Sequence, residues 1–366
     1  MRGTTALVDR RQESLDVAFV IPLSGPAGIF GPSCEACGEL AVDEINSANG
    51  VLARELRLHV VDGGQAPAQV AREVADLVRA GTVQAVAGWH ISAVRQCIDR
   101  VVAGRVPYVY STLYEGGERT EGVFLTGETP DRQVLPALEW MARELGVRTW
   151  CIAGDDYVWP RASARVARRF ARSSPLVQVL DEVFVPLGTE DFSSAVRRVG
   201  RSGAHGVLMF LVGSDAVRFN RTFVAADLDR RCVRLSPLME ENMLLASGAE
   251  NTHGLYATSG FFETLVTAAG LDFSRRYVQR FGYTAPTLNS MGESCYEALT
   301  FMARLAERAG SIELDRLCAA ADELAYESPR GVVRMTGNHL LQSVYLARAD
   351  GLEFDVIAQL AAPPRS

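Results

Sequence analysis

The chain has 366 residues, 48% of them apolar and 22% charged, with 37 Lys and Arg against 44 Asp and Glu for a formal net charge of -7. That length is more than one core comfortably serves and predicts two packed domains of ordinary globular composition. The acidic balance, with no basic cluster set among aromatics, argues against direct binding of nucleic acid, and no apolar run is long enough for insertion into a membrane.

In chain order, residues 1–14 are polar and lack the apolar core of a secretory signal. With Met1 in first place, the expected location is the cytoplasm, the alternative being an exported protein whose leader has been removed. Residues 15–22 form an apolar strand and residues 23–32 a loop rich in Gly, Pro and Ser. From Ser33 the spacing of Ala36, Leu40, Ala41, Glu44 and Ile45 predicts a helix that stops at Asn49 and Gly50. A strand over 56–61, a helix over 67–79 with Val70, Val74, Leu77 and Val78 inward, and a strand over 83–87 follow. The alternation continues with a helix over 93–103, a strand over 106–110, an apolar segment at 122–126 and a helix over 130–145.

The units then begin again, with strands over 148–153, 179–185 and 205–211 alternating with helices over 161–171, 191–201 and 215–225. Strands at 232–235 and 255–258 come next, then helices over 273–281, 290–309 and 312–325 and two short strands at 331–335 and 344–349. Repeated strand and helix units predict an α/β fold of parallel sheets covered on both faces, and the break near 126–130 predicts two similar doubly wound lobes.

Seven scattered cysteines do not make a disulfide framework. Cys34 and Cys37 form a Cys-x-x-Cys at a helix start, to be read as a redox pair, as half a metal site, or as buried structural thiols; no nearby His or second pair completes four ligands. Gly25, Gly28 and Gly31 follow the first strand, but their spacing is not that of a dinucleotide fingerprint, and Pro22, Pro26 and Pro32 remove donors from a phosphate cradle. The five histidines are not paired at metal-ligand spacing, so neither cofactor nor metal is expected. His90 and Ser92 could be cast as base and nucleophile, but they share one loop without an orienting acid, and no catalytic residue is assigned.

Three loops at strand ends carry hydroxyls and aromatic rings: Trp89 to Ser92, Tyr110 to Gly116, and Asp156 to Trp159. In parallel sheets such loops face the ligand crevice. Ser92 and the backbone N–H groups of Ser111 and Thr112 suit a carboxylate or carbonyl oxygen, while Tyr110, Tyr157 and Trp159 suit the rest of a small molecule. Taken singly, Ser92 and Thr112 are also plausible helix caps, and Trp159 plausible surface packing.

The chain resembles the type I periplasmic binding proteins, in particular the branch holding the amide receptor and the urea and short-chain-amide binding proteins. The resemblance rests on Pro22-Leu23-Ser24-Gly25, Glu39-Leu40-Ala41-Val42-Asp43-Glu44, Tyr114-Glu115-Gly116, Asp156-Tyr157-Val158-Trp159-Pro160-Arg161, Ser290-Met291-Gly292-Glu293 and Ser328-Pro329-Arg330-Gly331, in order over most of the chain. It implies two lobes joined by three crossovers and closing on a ligand. The first lobe is expected at 15–127 and 259–327, the second at 128–258 and 328–355, with flexible termini at 1–14 and 356–366.

It also implies that His90, Ser92, Tyr110, Thr112, Tyr157 and Trp159 line the pocket, with the segment containing Met239 contributing the second-lobe wall. His90, Trp159 and Leu113 depart from the residues usual in the branch. The implied function is that of a non-enzymatic receptor for a short amide, urea-like compound or amino-acid derivative, signalling to a cytoplasmic regulatory protein. The alternative is the solute-binding subunit of an ABC importer, partnered by a permease.

Overall fold

Nearly every side chain from Leu15 to Ile21 is apolar and buried, the pattern of a strand covered on both faces. The computed structural model describes residues 14–362. This strand is β1 (Ser14–Ile21); it is followed by α1 (Gly31–Ser47), β2 (Glu55–Asp62), α2 (Pro67–Arg79), β3 (Ala85–Gly88), α3 (Ser92–Val102), β4 (Tyr108–Tyr110) and β5 (Val123–Leu125). Prolines in the first turns of α1 and α2 suit positions whose N–H groups have no intrahelical partner. The strands lie in the order β2, β1, β3, β4, β5, all parallel. Gly88 is level with Tyr110 in the register, so the loops after β3 and β4 leave the sheet side by side.

The chain then crosses to a second sheet through α4 (Pro130–Glu144). There β6 (Thr149–Asp155), α5 (Val158–Ser173), β7 (Gln178–Val185), α6 (Ser193–Ser202), β8 (Gly206–Phe210), α7 (Ser214–Ala225), β9 (Val233–Ser236), α8 (Glu241–Ser247) and β10 (Leu255–Ser259) repeat the scheme. The order β7, β6, β8, β9, β10 is again parallel and again reverses direction beside its first strand. Such reversal points open a crevice at the carboxyl ends of the strands.

A second crossing returns the chain through α9 (Ala268–Phe281), α10 (Ser290–Ala309) and α11 (Leu314–Ala321) to β11 (Ala325–Ser328), β12 (Gly331–Thr336) and β13 (His339–Leu341). The third crossing leads to β14 (Val344–Asp350) and β15 (Glu353–Ala361), which extend the second sheet antiparallel. The fold is therefore two α/β lobes, each mainly parallel with an antiparallel extension, joined by three crossings.

The residue ranges inferred from resemblance need two corrections. Residues 328–341 fall in the first sheet, because the β12–β13 hairpin docks on the edge of β5, where the Leu125 N–H donates to the Asn338 carbonyl at 2.9 Å. An open strand edge is a row of unpaired backbone groups, and this hairpin covers it. Residues 356–361 are not a flexible terminus, since they pair with β14; Ser14 likewise lies in β1. Residues 1–13 and 363–366 lie outside the described residues.

Cys34 and Cys37 are fully buried in α1, which packs on α10, and burial pushes both thiols well above their usual range. In that setting they behave as small apolar side chains.

Candidate functional site

Strand β3 ends on Gly88, whose φ of 130° and close approach to β1 require glycine: an added Cβ would lie 2.4 Å from the Val20 carbonyl oxygen. The tight passage carries His90 to within 3.1 Å of that carbonyl through Nδ1, while Nε2 lies 2.5 Å from the Tyr108 phenol. A carbonyl only accepts, so Nδ1 carries the proton and Nε2 of the neutral ring accepts from Tyr108. Burial holds His90 in that neutral form, its pKa lowered to about 4. Both ring nitrogens are thus engaged by the protein. His90 lines the cavity as expected from the resemblance, but as a braced wall whose two nitrogens are already bonded, not as a base for Ser92.

Tyr110 donates to the His90 carbonyl at 2.7 Å, and Ser92 shares the cavity wall with it. Ser92 is the first residue of α3, with Ile91 rather than Ser92 at the N-cap. The Arg95 guanidinium lies 5.6 Å from the centre of the Tyr110 ring and is tied to Asp99 at 2.9 Å and Glu115 at 2.8 Å. Next along, the loop after β4 is pressed from outside by Gly127, where a Cβ would meet the Thr112 carbonyl group at 2.0 Å. Thr112 donates through Oγ1 to the Met291 sulfur at 3.1 Å.

From the other lobe, β6 ends at Asp155, whose carboxylate accepts the Val212 N–H at 2.8 Å and holds the ends of β6 and β8 together. Tyr157 caps α5 in an extended conformation, and Trp159 follows in the first turn, its ring edge-on to Phe210 with centroids 5.7 Å apart. The helix starts at Val158 rather than 161 because β6 and its two-residue turn hand over directly to it.

These elements meet. One cavity is lined by Trp89, His90, Ile91, Ser92, Tyr110, Thr112 and Leu113 of the first lobe and by Tyr157, Trp159, Val212 and Leu238 of the second. Six of the eight residues expected at the site therefore share one space. Ser111 and Met239 do not line it. The Ser111 N–H donates to the Gly88 carbonyl at 3.2 Å and its hydroxyl faces Ser294, so neither group serves as the expected anion donor. Met239 is buried against Asn220, and its neighbour Leu238 takes the place in the wall. Sequence reasoning passed over Trp89, Ile91, Leu113, Val212 and Leu238 as lining residues. The last two follow the ends of β8 and β9, the same rule that selected the other loops.

The lining carries no ionised side chain, and the cavity volume is only about 10 Å³. That is space for about one water molecule. The lobes are correspondingly shut: Asn242 of the second donates to the Ile29 carbonyl of the first at 2.8 Å, and Ser259 to Ser290 at 2.7 Å. A larger depression lies on the first lobe, but it is open, and Asp272 and Arg276 on its wall pair with each other.

Residues 14–353 match the family model described as periplasmic binding protein. Leu/Ile/Val-binding protein homolog 6 of Brucella melitensis is 25% identical over 349 residues, covering 91% of this chain and 88% of that protein. Among solved structures, a solute binding protein of an ABC transporter from Rhodopseudomonas palustris BisB5, in complex with 3,4-dihydroxybenzoic acid, superimposes with a TM-score of 0.84 at 17% identity, covering 96% of this chain and 98% of that one. The branched-chain amino acid transporter substrate binding protein LivJ of Streptococcus pneumoniae, in complex with isoleucine, gives 0.82 at 18%, covering 94% and 99%.

The chain belongs to the periplasmic binding protein family, a class of receptors rather than enzymes. This membership overturns the cytoplasmic location expected from the amino-terminal residues, since the family works outside the cytoplasm.

Proposed function

We propose that this protein is the solute-binding component of an ABC importer, closing its two lobes on a small molecule held among Ser92, Thr112, Tyr157 and Trp159. The observation that carries the reading is the single cavity walled from both lobes by loops at strand ends. A ligand bound there touches both lobes only when they are shut, so its binding energy favours the closed form, the form a transporter can distinguish from the empty one. The relatives support the class of solute: one is named for leucine, isoleucine and valine, and the R. palustris structure holds an aromatic acid. The neutral, aromatic-rich wall suits a compact molecule with an apolar body and one polar end, which the lobes must part slightly to hold.

A thermal-shift screen across aromatic and aliphatic carboxylates, amino acids, amides and urea tests this. A solute at about 100 times its Kd adds about 2.7 kcal/mol to apparent stability. The reading predicts a shift with one of these classes and no turnover of the solute. No shift with any of them, or release of product in proportion to protein, would contradict it. Permease and ATPase genes beside the coding gene would support the transport role.

A further inference from the structure

Three polar side chains of the cavity wall are already paired within the protein. His90 uses both ring nitrogens, Tyr110 donates to the His90 carbonyl and Thr112 donates to the Met291 sulfur. Trp89 differs. It lines the cavity and is only 2% exposed, and its indole N–H is buried with no hydrogen-bond partner among the described residues. Its ring is held against Phe30 with centroids 5.0 Å apart, so the donor has a fixed position.

An unpaired indole N–H is not in itself a sign of a ligand, because Trp150 has one too. Trp150, however, lies within β6, its ring packed over Gly206, and lines no part of the cavity. The difference between the two is that Trp89 belongs to the cavity wall and Trp150 does not. An indole N–H donates and cannot accept, so the group that completes Trp89 is an acceptor. A ligand ammonium, by contrast, would enter a wall holding no carboxylate and lose its water without a counter-charge.

Resting on the reading of this cavity as the solute site, we propose that Trp89 is a specificity-determining residue whose indole N–H binds a carboxylate or amide oxygen of the solute. The site accordingly prefers solutes that lack an ammonium group.

Calorimetry on the full chain with two sets of matched probes tests this: 4-methylpentanoate, 4-methylpentanamide and leucine; phenylacetate, phenylacetamide and phenylglycine. Within each set the amino acid differs from the acid by one amino group. The acid or its amide should bind at least about tenfold more tightly than the amino acid. The acid and amide arms distinguish the two sources of the oxygen. Trp89→Phe keeps an aromatic ring on Phe30 and removes the donor, and should weaken the preferred probe at least about fivefold while the melting temperature and the weak amino-acid binding stay nearly unchanged.

Tighter binding of leucine or phenylglycine overturns the solute preference. Unchanged affinity of Trp89→Phe for a probe that binds the wild type overturns the role of Trp89 and leaves the solute-site reading standing. Should no probe of either set bind the wild type at millimolar concentration, the reading on which the inference rests fails with it.

Discussion

Arg330 donates through Nε to Glu293 at 2.5 Å, and both side chains are almost wholly withdrawn from solvent. The same guanidinium reaches two of the crossings directly and the other through Glu128. It donates to the Thr126 carbonyl at 3.3 Å and to Gln342 at 2.7 Å, and it lies 3.7 Å from Glu128, which in turn accepts the Gly260 N–H at 2.6 Å. The Ser-Pro-Arg-Gly motif, a family mark in the sequence, therefore has a physical role, which is to tie together the segments that join the lobes.

Removing one member of a buried pair leaves the other without a counter-charge, at a cost of about 3–5 kcal/mol. Arg330→Met is expected to fall in that range by denaturant unfolding. Burial pushes Glu293 up and Arg330 opposes it, so with Arg330 gone the carboxyl takes a proton at neutral pH and softens the loss. Pairing Arg330→Met with Glu293→Gln should recover part of the stability. A double variant as unstable as the sum of the two single ones would show that the pair is not coupled.

The ligand site should be insensitive to the usual titration of histidine. His90 is neutral down to about pH 4, because burial lowers it and both nitrogens are already bonded. Calorimetric affinity for a bound solute is expected to stay flat between about pH 6 and 8, a range that would span the titration of an unperturbed histidine. A change of several fold centred near pH 6.5 would mean that His90 carries a proton in the working protein.

Stability, unlike affinity, should depend on pH. Glu241 is buried, one oxygen accepting the Glu263 N–H at 2.9 Å, and burial raises it to about 8. An acid raised on folding keeps a proton that the unfolded chain releases, so its contribution is present below the unfolded pKa and is lost as pH rises through the folded one. His90 acts in the opposite sense, but only below about pH 6.5. The melting temperature should therefore fall between about pH 6.5 and 8.5, and Glu241→Gln should flatten that fall. An equal slope in the variant would assign the effect to other groups.

Tyr157 and Ser92 contribute from opposite lobes. Tyr157→Ala removes an aromatic wall and should weaken solute binding by about 1–3 kcal/mol, and Ser92→Ala by about 1 kcal/mol through a lost hydroxyl beside Tyr110. Unchanged calorimetric affinity in both variants would place the solute elsewhere.

Much of this arrangement was legible in the sequence because the parallel strands are short, apolar and bounded by glycines, and because loops after such strands must face the crevice. That rule selected Ser92, Tyr110, Thr112, Tyr157 and Trp159, which line one cavity in the structure. The resemblance, not that rule, pointed to Met239, whose neighbour Leu238 stands in the wall instead. The rule failed at Ser111, whose N–H is used by the sheet. The β12–β13 hairpin and β15 were misassigned or missed because pairing at a sheet edge depends on which edge is open, a tertiary fact with little local signature. The engagement of both His90 nitrogens depends on Val20 and Tyr108, which are distant in the chain and adjacent only in the folded sheet.

The most direct measurement is hydrogen exchange on the full chain with and without a solute found in the thermal-shift screen. Peptides covering residues 88–92 and 110–114 of the first lobe and 156–160 and 211–213 of the second should gain protection together, at the same solute concentration. Protection confined to one lobe, or to a surface away from these loops, would contradict the claim that the solute is held between the lobes.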